Sequence, residues 1–356
     1  MSKTSDDLIK GAMERFEESE SGTNEVRQDA LDDIRFARLG EQWPEAVEKI
    51  RKAEGRPCLT INKLPAFIRQ VVNESRQNKP GIVVSPVDSG ADVDTAKVIS
   101  GIVRSIERES NADVAYDTAI DHAVSGGFGF FRIGIEYAHP TSFDMVARIH
   151  RVPNPLMVHW DSNSTEFDAS DWRYAFVSDI LTDKEFKDRF PKAAAVSFEG
   201  DHDDVSTSWK NEDGIRIAEY WIKEEEKKNL LMLTGIDGTQ KSIREDHIPK
   251  VAQAALEGMG LDLGPMSDDE LTRLYMHTLQ LEETRRRVVM VPKVTRQLIS
   301  GVEVLEESED WPGSNIPICP VWGEEVFVDG RRHFRSMIRD AKDPQAMFNF
   351  WRAAST

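Results

Sequence analysis

The sequence predicts an α+β fold, a mixed body of helices and antiparallel strands with a long helix and a small β-rich lobe in its C-terminal third. Three observations carry this. Apolar residues recur at helical spacing in three stretches between residues 65 and 124, the period changes to two from Phe128, and the strand candidates that follow are joined by short connections that suit antiparallel pairing. A chain of 356 residues with 39% hydrophobic content suffices for about two or three cores.

The first 50 residues are charged and poor in apolar side chains, with Ile34, Phe36, Leu39 and Trp43 as the first packing candidates, and read as peripheral helices. An extended proline-flanked run, Arg56-Pro57-Cys58-Leu59-Thr60-Ile61-Asn62-Lys63-Leu64-Pro65, has the look of a structural lock: it holds no nucleophile with a partner. It leads into a helix over 65–77 with Phe67, Ile68, Val71 and Val72 at helical spacing, and Pro80-Gly81 stops that helix before a strand-like Ile82-Val83-Val84. Helices over 94–109 and 112–124 follow. Ile99, Ile102, Val103 and Ile106 mark the apolar face of one, and Ala115, Tyr116, Ala119, Ile120 and Ala123 that of the other.

From Phe128 onward Phe131, Ile133, Ile135 and Tyr137 alternate with Arg132, Gly134 and Glu136, and further strands are expected at 145–152, 156–160 and 174–180. Thr182 and Glu185 form a capping box that opens a short helix ending before Pro191. Strands resume at 215–222 and 230–234 around a charged turn, 223–228. Ser267 and Glu270 form a second capping box, opening a helix expected to run through Arg287 with Leu271, Leu274, Tyr275, Thr278 and Leu281 as its stripe. Residues 288–291, 294–299, 301–305 and 317–322 supply the β lobe, with a turn at Trp311-Pro312-Gly313. After Asp329-Gly330 the chain turns helical again, with Asp343 as cap, Pro344 at the first helical position, and Met347, Phe348 and Trp351 on the apolar face.

Composition and motifs exclude several functions. Forty-five Lys and Arg against 63 Asp and Glu leave a net charge of −18, which opposes bulk association with nucleic acid and anionic membranes. No apolar run approaches the roughly 20 residues of a membrane helix and the N-terminus is polar, so a soluble chain is expected, with no membrane partner. Cys58 and Cys319 lie outside any Cys-x-x-Cys spacing and read as reduced structural thiols. The acidic run Gly200-Asp201-His202-Asp203-Asp204 has the residue types of a metal site but not the spacing of a calcium loop, which favours a solvated loop. Ser125-Gly126-Gly127-Phe128-Gly129 lies between a helix and a strand, the reverse of the order that aims N–H groups at phosphate, and no Gly-Lys-Ser/Thr is present. The histidines fit no His-Glu-x-x-His pattern. No catalytic, cofactor-binding or metal residue is assigned and no cofactor is expected, so a non-enzymatic role is favoured over a metal-dependent hydrolase on an α+β fold.

Three stretches carry a family resemblance: Arg56 to Pro65 continuing through Arg76-Gln77-Asn78-Lys79-Pro80; Ala115-Tyr116-Asp117 with Gly126-Gly127-Phe128-Gly129; and Arg339-Asp340-Ala341-Lys342-Asp343-Pro344-Gln345. From roughly Arg35 to the C-terminus the chain resembles the portal (head-to-tail connector) proteins of short-tailed bacteriophages. The resemblance implies a homo-oligomer, a dodecameric ring at one capsid vertex through which double-stranded DNA is packaged and ejected. Its implied partners are terminase, tail adaptor proteins, and capsid and scaffolding proteins, with non-specific contact to double-stranded DNA; its implied location is the virion portal vertex, and the host cytoplasm during assembly. It implies a peripheral N-terminal helical segment at 1–50, a wing at 51–266, a stem helix at 267–287, a clip lobe at 288–330 and a returning stem helix at 331–356. The helices at 65–77, 94–109 and 268–287 would meet neighbouring subunits. Arg332, Arg335, Arg339 and Lys342 would line the DNA channel, with a solvated, salt-bridged helix face as the equal alternative. Arg285, Arg286, Arg287, Lys293, Arg296, Glu303, Glu306 and Glu307 would form the clip docking surface. Family chains continue further, so a C-terminally incomplete chain is expected; a virion adaptor protein without a channel is the remaining alternative.

Overall fold

A computed structural model describes residues 5–79, 81–86, 92–193, 210–211, 214–236, 238–260 and 266–355. The elements in order are α1 (Ser5–Ile34), a π-helix (Arg35–Leu39), α2 (Glu45–Ala53), α3 (Leu64–Gln77), α4 (Val93–Glu109), α5 (Ala112–Gly126), β1 (Phe128–Tyr137), β2 (Met145–Arg151), β3 (Val158–Trp160), β4 (Tyr174–Leu181), α6 (Asp183–Arg189), β5 (Lys210–Asn211) and β6 (Gly214–Thr234). They continue with β7 (Gln240–Arg244), α7 (Ile248–Gly258), α8 (Asp268–Thr278), β8 (Glu282–Ser300), β9 (Val304–Trp311), β10 (Ile318–Trp322), β11 (Glu324–Val328), β12 (Arg331–Arg335) and α9 (Met337–Ala354). This is a mixed α+β chain, and its strand pairs of defined register are antiparallel. It divides into two compact units, one of Met1–Ile222, Arg296–Glu309 and Ile316–Thr356, the other of Lys223–Thr295 and Asp310–Asn315.

Local chemistry sets the boundaries in the first unit. Pro65 sits in the first turn of α3, where a missing N–H costs nothing. The Asp92 carboxylate caps α4 by accepting from the Asp94 and Thr95 amides at 3.0 and 3.1 Å. The Thr182–Glu185 capping box opens α6 as the sequence predicts. Gly127, at φ 93°, closes α5 in the left-handed conformation. Two residues on, a Cβ at Gly129 would stand 2.0 Å from the Ala119 carbonyl oxygen, so β1 can leave α5 this closely only with glycine there. β1 pairs with β2 on one side and β10 on the other. Phe128 and Phe130 on β1 pack around Trp160 and Trp322, and Trp322 stacks on Phe334 with ring centres 4.0 Å apart.

The second unit has its own core. Leu231 and Leu233 of β6 and Ile243 of β7 are buried against Ile248, Ala252 and Leu256 of α7 and Leu271 and Tyr275 of α8. The Ser267–Glu270 capping box starts α8 as expected.

Several expectations are corrected. The N-terminal segment is not peripheral: α1 buries Ile9, Ala12 and Phe16 with Tyr174, Phe176, Tyr220 and Ile299, whereas Leu39 is exposed. Its few apolar residues sit on one face, and a single buried face suffices for a long helix. The helix expected through Arg287 stops at Thr278, and residues 282–300 are strand; the β-branched run from Val288 extends the sheet back through the arginines. The expected stem helix at 267–287 is therefore helical only in its first half. Residues 223–228 are not a turn but the middle of β6, one continuous strand of 21 residues. Ile82-Val83-Val84 form no strand, and Ile82 and Val83 are exposed. Strands of the expected lobe at 288–330 enter different sheets, β8 and β9 with β6, β10 with β1, and β11 with β12. The returning segment begins as strand β12; α9 then starts at Met337 under a Ser336 cap, which leaves Asp343 and Pro344 inside the helix.

Phe16 tests the corrected place of α1. Phe16→Ala should lower the unfolding free energy by about 3–5 kcal/mol in urea denaturation, whereas Leu39→Ala should stay within about 0.5 kcal/mol.

Candidate functional site

The residues buried along α9 include Ile338, Gln345, Asn349 and Ala353, while of the expected apolar face Met347 and Trp351 are exposed and Phe348 is half-buried. Two buried amides on a helix need partners. Asn349 Oδ1 accepts the Ile61 amide at 3.0 Å, and Gln345 Oε1 accepts the Lys63 amide at 3.3 Å. Gln345 Nε2 donates to the Ile61 carbonyl at 2.9 Å, so side chains of α9 pair with the extended run 57–63 much as a neighbouring strand would. Gln42 completes the set: its Oε1 accepts from Asn349 at 2.6 Å and from Gln345 at 3.2 Å.

The same groups satisfy the π-helix. Its widened turn frees carbonyls that an α-helix would use. Gln42 Nε2 donates to the Phe36 carbonyl at 3.1 Å, and Asn62 Nδ2 to the Ala37 carbonyl at 2.7 Å. One turn earlier Asp33, almost fully buried, accepts from the Ser336 hydroxyl at 2.7 Å and lies 2.6 Å from Lys342 Nζ and 3.2 Å from Arg339. Burial opposes the charge on Arg339, but Asp29 and Asp33 outweigh it and raise its pKa.

The glycine stretch meets this junction too. A Cβ at Gly127 would fall 2.8 Å from the Phe334 carbonyl oxygen, and Gly323 donates its amide to the Gly127 carbonyl at 2.8 Å. Residues from all three stretches that carry the family resemblance thus take part in one packed polar junction. Its one hydroxyl on a carboxylate, Ser336 on Asp33, is buried and caps α9, and among the described residues no group of three or more His, Cys, Asp or Glu could hold a metal. The acidic run 199–213, apart from the backbone of 210–211, lies outside the described residues.

Each of the four candidate channel cations has a carboxylate. Arg332 pairs with Glu325 and lies over the Trp322 and Phe334 rings; Arg335 pairs with Asp340 at 2.5 Å; Arg339 and Lys342 share Asp33. The eight candidate docking residues fall in both units. Arg285, Arg286, Arg287 and Lys293 lie on the part of β8 in the second unit, with Arg286 held by Glu283 and Glu245 and Lys293 by Asp310. Arg296, Glu303, Glu306 and Glu307 belong to the first unit, where Arg296 bridges Glu219, Glu306 and Glu309. Cys319 is driven up to about 11 by burial, which keeps its thiol protonated and unreactive.

Sequence reasoning missed the buried His159. Its ring lies 4.3 Å from Phe16, and Arg27, itself lowered to about 10 by burial, donates to the Val158 carbonyl beside it. Burial first, then Arg27 and Arg216, hold His159 well below its ordinary value. Only α1 packing over β3 creates this site, so no local motif announces it. The unfolded chain takes up this proton below about pH 6.5 more readily than the folded chain, so stability is full above that pH and declines as pH falls below it. His122, also lowered chiefly by burial, adds in the same window. Urea unfolding between pH 7.5 and 5 should show this decline, and His159→Gln should flatten it.

Among the described residues no helix is long and apolar enough to cross a membrane. A profile of the phage P22-like portal protein family matches residues 13–356. The portal protein of Acyrthosiphon pisum secondary endosymbiont phage 1 is 26% identical over 346 residues, covering 95% of this chain and 45% of that protein. The chain spans about half the length of this curated relative. With a family match over nearly all of its residues, and with the stretches that first suggested it gathered at one junction, the chain belongs to the phage P22-like portal protein family.

Proposed function

We propose that the chain is the subunit of a ring at one capsid vertex, a dodecamer that conducts double-stranded DNA in packaging and ejection and receives terminase and tail adaptor proteins. The observation that carries this is the family match over residues 13–356. The role is structural, without catalysis. Capsid and scaffolding proteins surround such a ring in the virion, after assembly in the host cytoplasm.

The charge pattern supports a conduit better than a grip. Every phosphate neutralised by a cation adds salt-dependent affinity, which would slow a moving duplex. With a net charge of −18 and with Arg332, Arg335, Arg339 and Lys342 each beside a carboxylate, a wall built from these groups offers DNA weak, non-specific contact. Exposed apolar residues on α3 and α4, among them Phe67, Ile99 and Ile102, suit contact with a neighbouring subunit. In this reading residues 51–266 serve as the wing and α9 as the returning stem helix, with α8 and the start of β8 in place of a continuous stem helix at 267–287.

Negative-stain electron microscopy of the purified protein should give annular end-on views of about a dozen subunits around a duplex-wide hole. Uniform monomers or compact dimers across a range of salt would overturn the ring reading and favour an adaptor.

A further inference from the structure

Strand β8 is 19 residues long, whereas its neighbour β9 has 8, and the two are joined by a short turn in which the Ser300 amide bonds the Glu303 carbonyl at 2.9 Å. Paired residue for residue, β9 reaches back along β8 only to about Pro292. Ahead of that point β8 has β6 on one side and, among the described residues, no strand on the other. Residues 282–288 are all exposed, and so is Met290. A long open edge is a template for another strand, and proteins that must avoid pairing shorten, bulge or cover it. Among the described residues this edge is guarded by charge alone.

The charges select the partner. Arg286 is occupied, 2.9 Å from Glu283 and 3.2 Å from Glu245. Arg285 and Arg287, two positions apart and therefore on one face of the strand, have no carboxylate partner among the described residues. Val288 and Met290, 62% and 49% exposed, stand on the opposite face. We propose that this edge takes up an extended acidic segment of a docking protein by strand addition. Main-chain hydrogen bonds supply the grip, carboxylates at alternate positions face Arg285 and Arg287, and the apolar residues between them cover Val288 and Met290. Glu282 and Glu283 repel an acidic strand that slides past Thr284, which sets the register. The inference deepens the docking role proposed above and does not depend on the ring.

The test is fluorescence anisotropy of labelled peptides against the full 356-residue chain. One peptide, about ten residues long, alternates Glu and Val; the second is the same peptide N-methylated at every residue, which keeps the charge and removes the donors; the third alternates Lys and Val. The Glu peptide should bind saturably, the methylated one about tenfold more weakly, and the Lys peptide not at all. Arg285→Glu with Arg287→Glu should weaken the Glu peptide about tenfold, with the circular dichroism of the chain unchanged. Equal binding of the methylated peptide would reduce the edge to simple charge attraction and overturn the proposal, and so would absence of binding by the Glu peptide. Ring formation is scored separately by microscopy, so failure of the ring and failure of this edge are distinguishable.

Discussion

A helix that buries two amide side chains must give them partners or lose about 1–3 kcal/mol for each polar group left without one. That constraint on α9 organises the first unit. Gln345 and Asn349 hold the extended run 57–63. Through Gln42 they connect to the widened turn of the π-helix, whose freed carbonyls take Gln42 and Asn62. Near the start of α9, Ser336, Arg339 and Lys342 close on Asp33 of α1. Elements some 300 residues apart in sequence are thereby fixed by directional bonds, and a hydrophobic contact alone would leave their register free to slip.

The fold class, α3 to α5, β1, β2, β4 and both capping boxes were legible because each rests on local chemistry: spacing, a cap, a glycine or a proline. The elements that went wrong needed information from far along the chain. Arg285 to Arg287 look like the cationic end of a helix, and only pairing with β6 makes them strand. Lys223 to Lys228 look like a turn, but a two-residue period continues through them and the sheet keeps it. In α9 the visible apolar stripe of Met347, Phe348 and Trp351 drew attention from the polar residues that are buried, because burial of Gln345 depends on Gln42 and Ile61, which no local pattern announces.

The candidate functional residues divide along the same line. Channel cations chosen by type and position turn out to be paired, two of them with a single buried carboxylate, so their first effect is on the fold. Such pairing leaves these four cations little free charge. Arg285 and Arg287, by contrast, have no carboxylate partner among the described residues and lie on an exposed strand, which is where recognition by charge retains its force.

The central claim is that the family-bearing stretches build a clamp, and amide hydrogen exchange tests it most directly. The Ile61 and Lys63 amides lie in an irregular segment, yet both donate to α9 side chains. They should exchange as slowly as the amides of α9, and Asn349→Ala should release Ile61 and Gln345→Ala should release Lys63, each leaving α7 and α8 in the second unit protected. Rapid exchange of these two amides in the unaltered chain would contradict the account.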